Sequence, residues 1–237
     1  MMSRKRWGYV VQFFCLLVFL GMSPFLIKMD GRKTRSVSSD SVRSQNVSDE
    51  VKPVVALTFD DGPNASSTPI LLDGLKERKV RATFFLIGEN VEKDENEKIV
   101  KRMYEEGHLI GNHTYTHCNL SKLETGEAKK ELEQTDTVIE KITGKQPVFV
   151  RAPYGELPVD SEQDLNRIYI GWTVDPLDWM TEDTGAVVKT VVEEINPGDV
   201  ILLHDCYPSS VQAAIRIVDL LQGKGYEFVT VDHLIMD

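Results

Sequence analysis

From Val51 onward, short apolar runs alternate with stretches in which apolar residues recur every three or four positions. The runs read as buried strands and the periodic stretches as helices packed by one face. Val54–Phe59 is the first predicted strand, and Thr68-Pro69 then reads as an N-cap with proline at the first helical position. Ala82–Ile87 is the second strand. Asp94–Glu106 reads as a helix, with Ile99 and Met103 on one face and Gly107 placed to end it. His108–Gly111 is a short strand, and Thr125–Thr143 a longer helix striped by Leu132, Ile139 and Ile142 and closed by Gly144. Further strands are predicted at Val148–Val150, Ile168–Val174, Val200–Leu203 and Tyr226–Val231, with helices over Thr184–Ile195 and Ser209–Gln222 separating the last three. This alternation predicts an α/β fold with a parallel sheet and helical crossovers. About seven such units come close to a (β/α) barrel without reaching the full eightfold one. In a parallel barrel all strand C-terminal ends gather on one face, and the chemically loaded residues here mostly follow strand ends.

The N-terminal pattern is different. Arg4-Lys5-Arg6 precede an almost wholly apolar, uncharged run from Trp7 to Ile27, roughly the length that crosses a bilayer as a helix. It ends without a small-residue cleavage site, which favours an uncleaved signal-anchor over a cleaved signal peptide. Positive charge leaves the orientation open, because Lys28, Arg32, Lys33 and Arg35 follow the run as well. Residues 1–29 are thus expected to be a basic stub and membrane-anchor helix. Residues 30–50, Ser-rich and poor in apolar side chains, read as a flexible polar linker. Residues 51–237 suit one domain.

Charge changes the picture by exclusion. Residues 1–50 hold eight Lys/Arg against four Asp/Glu, leaving 19 against 33 beyond them. A domain carrying −14 argues against a nucleic-acid partner, which needs clustered positive charge, but it is compatible with neutral sugars. A monomer is expected. Cys15, Cys118 and Cys206 make no disulfide framework; Cys118 and Cys206 read as two small semi-buried residues, with a bridge as the weaker alternative.

Candidate chemistry is concentrated in five segments: Thr58-Phe59-Asp60-Asp61-Gly62, His113-Thr114-Tyr115-Thr116-His117, Arg151-Ala152-Pro153-Tyr154-Gly155, Asp175-Pro176-Leu177-Asp178-Trp179 and Leu202-Leu203-His204-Asp205. Singly, each has a plain reading as turn chemistry, a surface ion pair or a core aromatic. Together they form a parts list. His113, His117 and one aspartate supply three N/O ligands and leave a position open, as catalytic zinc sites do; cobalt, nickel or iron would suit the same set. A second carboxylate can act as base on water, an arginine can hold that base ionised, and a further histidine can protonate a leaving group. Those parts suffice for metal-assisted acyl hydrolysis.

In this order the segments resemble the polysaccharide deacetylase (NodB-homology) family, carbohydrate esterase family 4, across nearly all of residues 51–237 and with no defining motif broken. The resemblance implies a distorted (β/α) barrel with seven strands. It implies metal binding by Asp61, His113 and His117, with Zn2+ expected. Asp60 would be the general base, oriented and held ionised by Arg151. The backbone N–H of Tyr154 would stabilise the oxyanion. His204 would be the general acid, held protonated and correctly turned by Asp178. Trp179 and Leu202, with Tyr154, would line the substrate pocket. Asp175 and Asp205 are expected to fix loops, and His108 and His233 to be surface or strand-end histidines. The activity implied is that of a hydrolase on linear amides: removal of N-acetyl groups from N-acetylglucosamine or N-acetylmuramic acid units of an extracellular polysaccharide, peptidoglycan first. Acetyl-xylan esterase and chitooligosaccharide deacetylase are the alternatives. A sugar-binding domain that has lost catalysis would be expected to lack Asp60, a metal ligand or His204, all of which are present. The resemblance also favours placing the domain outside the cytoplasm, at the cell membrane or secreted after signal cleavage.

Overall fold

A computed structural model describes residues 52–93, 95–159, 161 and 166–236. The membrane-anchor helix and linker expected within residues 1–50 lie outside the described residues. Among those described, no helix is long and apolar enough to cross a membrane.

Among the described residues, seven strands, β1 (Val54–Asp60), β2 (Thr83–Leu86), β3 (Leu109–Asn112), β4 (Phe149–Val150), β5 (Ile168–Tyr169), β6 (Val200–His204) and β7 (Glu227–Val229), form one parallel sheet. The helices are α1 (Thr68–Glu77), α2 (Gly88–Val91), α3 (Asn96–Glu105), α4 (Thr125–Thr143), α5 (Thr184–Glu194), α6 (Pro208–Gly223) and α7 (Val231–Met236). The strand order is β5-β4-β3-β2-β1-β6, with β7 pairing β1. Ala56 pairs with Val200 on one edge of β1 and with Val229 on the other. The last strand therefore shares an edge of β1 with β2 instead of extending the sheet past β6. The sheet is curled, and its ends meet through one isolated bridge, Val174 to Ile201. The expected barrel is in this sense only partly formed.

The strand predicted over Ile168–Val174 pairs on β4 only at Ile168 and Tyr169. The reason is chemical: the carbonyls of Ile170 and Gly171 accept from the Arg151 guanidinium. Helix α1 starts at Thr68, one residue earlier than read, and Ser67 is its N-cap. The Thr68 hydroxyl is engaged elsewhere, accepting from the Asn64 N–H at 2.8 Å and donating to Asp205 Oδ2 at 2.6 Å. Helix α4 has the predicted limits, closed by Gly144 at φ 74°.

The two faces of the sheet explain where the site lies. On β1, Leu57 and Phe59 join the large core built with α1, α3, α5 and α6, as do Phe84 and Leu86 on β2 and Ile201 and Leu203 on β6. With a period of two, Ala56, Thr58 and Asp60, Phe85, and Leu202 and His204 point to the concave face. There Ala56, Phe85, Phe149 and Val231 form a small apolar plug, closed from below by α7. Gly111 belongs to this packing, because a Cβ there would lie 2.5 Å from the Phe85 ring. Above the plug, the concave face turns polar.

Candidate active site

Arg151 is the floor of the polar region. It follows β4, is fully buried, and its guanidinium lies 4.3 Å from the Phe85 ring centroid. Its donors are distributed: Nη1 to Asp60 Oδ1 at 2.8 Å and to Thr58 Oγ1 at 2.7 Å, Nη2 to Gly171 O at 2.9 Å, Nε to Ile170 O at 3.3 Å. Thr58 in turn donates to Ile201 O at 2.6 Å, so the arginine and the hydroxyl lock each other. A buried charge is tolerable when paired and hydrogen-bonded in this way.

The adjacent aspartates have different surroundings. Asp60, the last residue of β1, points to the concave face and gives Oδ1 to Arg151, while its Oδ2 lies 3.7 Å from His113 Nε2. Asp61 follows at φ 71° and turns its carboxylate toward the mouth. Its Oδ1 lies 3.4 Å from His113 Nε2 and 3.3 Å from His117 Nε2, and no hydrogen-bond donor reaches it among the described residues. Ligand atoms of Asp61, His113 and His117 all fall within 4.8 Å of one another. Burial pushes the Asp61 carboxyl up, but His113, His117 and His204 together outweigh it and hold it below the usual range.

His113 is oriented from behind. Its Nδ1 lies 2.6 Å from the carbonyl oxygen of Arg151, which can only accept. Nδ1 therefore carries the proton and Nε2 presents its lone pair to Asp61, the arrangement that metal-ligating histidines need. Burial lowers the His117 pKa and so favours the neutral, ligating ring. One carboxylate oxygen without a donor facing two imidazole nitrogens fits a divalent cation, and the N, N, O set suits zinc as well as cobalt, nickel or iron.

His204 ends β6 directly beside Asp60, its register partner. Asp178, 1% exposed, grips it twice: Oδ1 is 2.8 Å from Nδ1 and Oδ2 accepts the backbone N–H at 2.8 Å. Burial lowers the His204 pKa, but the bond and charge of Asp178 reverse this, and the net shift is upward from 6.5. Nδ1 is tied to the carboxylate, which leaves Nε2 as the working nitrogen.

The predicted pocket residues divide. Trp179 is 51% exposed on the turn after Asp178, and Tyr154 is 65% exposed with its ring 5.0 Å from that of His117. Leu202 is 4% exposed, on the concave face below His204. Asp175 and Asp205 fix loops: Asp175 accepts the Leu177 N–H, and Asp205 accepts the Thr68 hydroxyl. Cys118 and Cys206 are free thiols. His108 departs from a surface reading: it is 5% exposed, and its Nδ1 accepts the Ala82 N–H at 3.1 Å. His233 lies exposed on α7, a surface histidine as expected. The sequence reading placed Thr58 in its first segment without giving it a role, and did not single out Tyr207. The role of Thr58 could have been found from its parity with Asp60 on β1. Tyr207 is 40% exposed and edge-on to His204 at 6.3 Å, a position that only the fold reveals.

Comparison with known proteins agrees with this geometry. The polysaccharide deacetylase family model matches residues 48–170. The chain is 42% identical over 190 residues to a peptidoglycan-N-acetylglucosamine deacetylase of Bacillus cereus, covering 77% of this chain and 68% of that protein. It is 39% identical over 194 residues to the peptidoglycan-N-acetylmuramic acid deacetylase PdaC of Bacillus subtilis, covering 82% of this chain but only 41% of that protein's length. The solved PdaC structure matches at a TM-score of 0.74, over 78% of this chain and 90% of that one. A family 4 acetyl xylan esterase from Clostridium thermocellum, solved with a cobalt ion, is 33% identical with a TM-score of 0.72, over 76% of this chain and 89% of that one. The chain therefore belongs to the polysaccharide deacetylase family and is an enzyme of that kind, with Asp61, His113 and His117 as its metal-binding triad.

Proposed function

We propose that the chain removes N-acetyl groups from N-acetylglucosamine or N-acetylmuramic acid units of peptidoglycan, releasing acetate. The observation that carries this is the division of labour between neighbouring carboxylates. Asp60 has one oxygen held by Arg151 and the other free beside the triad, while Asp61 turns an oxygen without a donor to two histidines.

A divalent cation on the triad, which we take to be zinc, supplies Lewis acidity toward water and the acetyl carbonyl. Asp60 Oδ2 takes the proton as water attacks the carbonyl carbon, and Arg151, bonded to Oδ1, keeps that carboxylate aimed. The backbone N–H of Tyr154 donates to the developing oxyanion. As the C–N bond breaks, His204 Nε2 gives its proton to the departing nitrogen, with Asp178 holding the imidazolium. Trp179, Tyr154 and Leu202 receive the sugar ring and acetyl methyl. Residues 51–237 form the catalytic domain in this reading. Residues 1–29 anchor it and residues 30–50 tether it at the cell membrane, on the side away from the cytoplasm.

Peptidoglycan is favoured because the relatives of 42% and 39% identity are named for it, against 33% for the esterase. Acetate release by the full-length chain from peptidoglycan, N-acetylglucosamine oligomers and acetylated xylan tests the reading. Preferred release from peptidoglycan is the expected result. Release from xylan alone would reassign the substrate to an O-acetyl ester.

A further inference from the structure

The loop that carries both histidines is pinned through its backbone. Thr114 and His117 take positive φ, 66° and 59°, a region that side-chain-bearing residues occupy only when held there. The holding groups can be traced bond by bond. The N–H of His113 donates to Leu86 O at 2.9 Å, and the carbonyls of Thr114 and Tyr115 accept from Gly88 and Glu89 at 3.0 Å each. Gly88 allows this close approach, since a Cβ there would lie 2.4 Å from the Tyr115 ring. The next three N–H groups are satisfied by side chains. Thr114 donates to Asn112 Oδ1 at 2.8 Å, and Asn112 is anchored to α4 through Leu132 O and Asp136. Tyr115 and Thr116 both donate to Glu131 Oε2, at 3.0 and 2.8 Å, and the Thr116 hydroxyl lies 3.1 Å from each Glu131 oxygen.

We infer that Glu131 is a positioning residue for the metal centre: from α4 it holds the loop in the one conformation that brings His113 and His117 to Asp61. A carboxylate accepting two backbone N–H groups is a strong clamp, and it grips the two residues immediately before His117. Asn112 and Asp136 fix the start of the loop, so Glu131 sets where its end lies. The inference rests on the metal-binding triad and extends its supporting shell to a helix residue outside the five sequence segments.

The test is cobalt binding by the full-length chain, read by calorimetry and by the visible spectrum of the bound ion, with thermal melting of the metal-free protein in parallel. Glu131→Ala should weaken cobalt binding by about 10- to 100-fold, the usual effect of losing an outer-shell partner. Glu131→Gln, whose amide oxygen can accept the same two N–H groups, should recover most of the loss. If Glu131→Ala does not fold, Glu131→Asp, one methylene too short to keep both bonds, is read in its place and should weaken cobalt binding in the same direction. Cobalt affinity within twofold of wild type in the variant read would overturn the inference, even with a lowered melting temperature, because the role would then be structural only. A wild-type chain that binds no cobalt would overturn the triad itself and the inference with it.

Discussion

The loops at the two ends of the sheet differ in which residues carry unusual backbone. At the N-terminal ends of the strands, positive φ falls mainly on glycines, Gly107, Gly144, Gly198 and Gly225, where it costs little. At the C-terminal ends it falls on one glycine, Gly155, and on Asp61, Thr114, His117, Tyr154 and Leu177, five of the six non-glycine residues so placed among the described residues; Lys79, after α1, is the sixth. One end is built for inexpensive turns. The other accepts strain because a side chain is needed at the same position, two of them metal ligands and others directly beside the triad or Asp178. Polar burial leans the same way, with Arg151, Asp60, His113 and Asp178 at the strained end and the apolar plug with α7, alongside the buried His108, at the relaxed one.

The comparison can be broken first at Arg151. Replacing it with Met leaves Asp60 and Thr58 without their buried donor and should destabilise the chain by about 3–5 kcal/mol, read by denaturant unfolding. Asp178→Asn should lower kcat/KM by about 10- to 100-fold, with a particular signature. Wild-type activity should fall as pH rises through the His204 pKa, which lies above 6.5. Without Asp178, the strongest influence that raises it, burial is opposed only by the charges of Asp60 and Asp61, and the alkaline limb should move to lower pH. An unmoved limb would remove the acid role from His204.

His108 is the relaxed end's counterpart. Its pKa is lowered to about 4 by burial, against 6.5 when free. The folded state thus resists protonation that the unfolded chain accepts, so the stability it contributes is present above pH 6.5 and lost as pH falls toward 4. The loss should reach about 3 kcal/mol, and His108→Leu should flatten that part of the stability–pH curve. The smallest effect is expected at Lys79: Lys79→Gly should stabilise by about 0.5–1 kcal/mol with activity unchanged. Leu177→Gly relieves the same backbone conformation but loosens the turn that carries Asp178, so kcat/KM should fall. Equal behaviour of the two variants would erase the distinction between the ends.

Much of this was legible in the sequence, for identifiable reasons. Buried strands such as Val54–Asp60 are largely apolar runs, and α4 shows both a stripe and a terminating Gly144, so its limits were readable. The metal ligands were readable because His113 and His117 lie four apart next to residues of matching chemistry. What depended on long-range register was not. No local pattern places β7 beside β1, and Arg151's capture of the Ile170 and Gly171 carbonyls shortened β5 from a distance of about twenty residues. Helices α2 and α7, of four and six residues, are too short to show a period. Glu131 was hidden for a further reason: it acts on backbone amides, and nothing in a sequence marks which carboxylate will find them.

The central claim is that Asp60 and Asp61 perform different tasks, and it is tested most directly by measuring bound metal and acetate release together in wild type, Asp60→Asn and Asp61→Asn. The wild type should release acetate, lose activity on chelation and regain it with zinc or cobalt. Asp60→Asn should keep its metal and lose about a hundred- to ten-thousandfold in turnover, while Asp61→Asn should lose the metal. Near wild-type turnover in Asp60→Asn, or equal metal loss in both variants, would contradict the assignment.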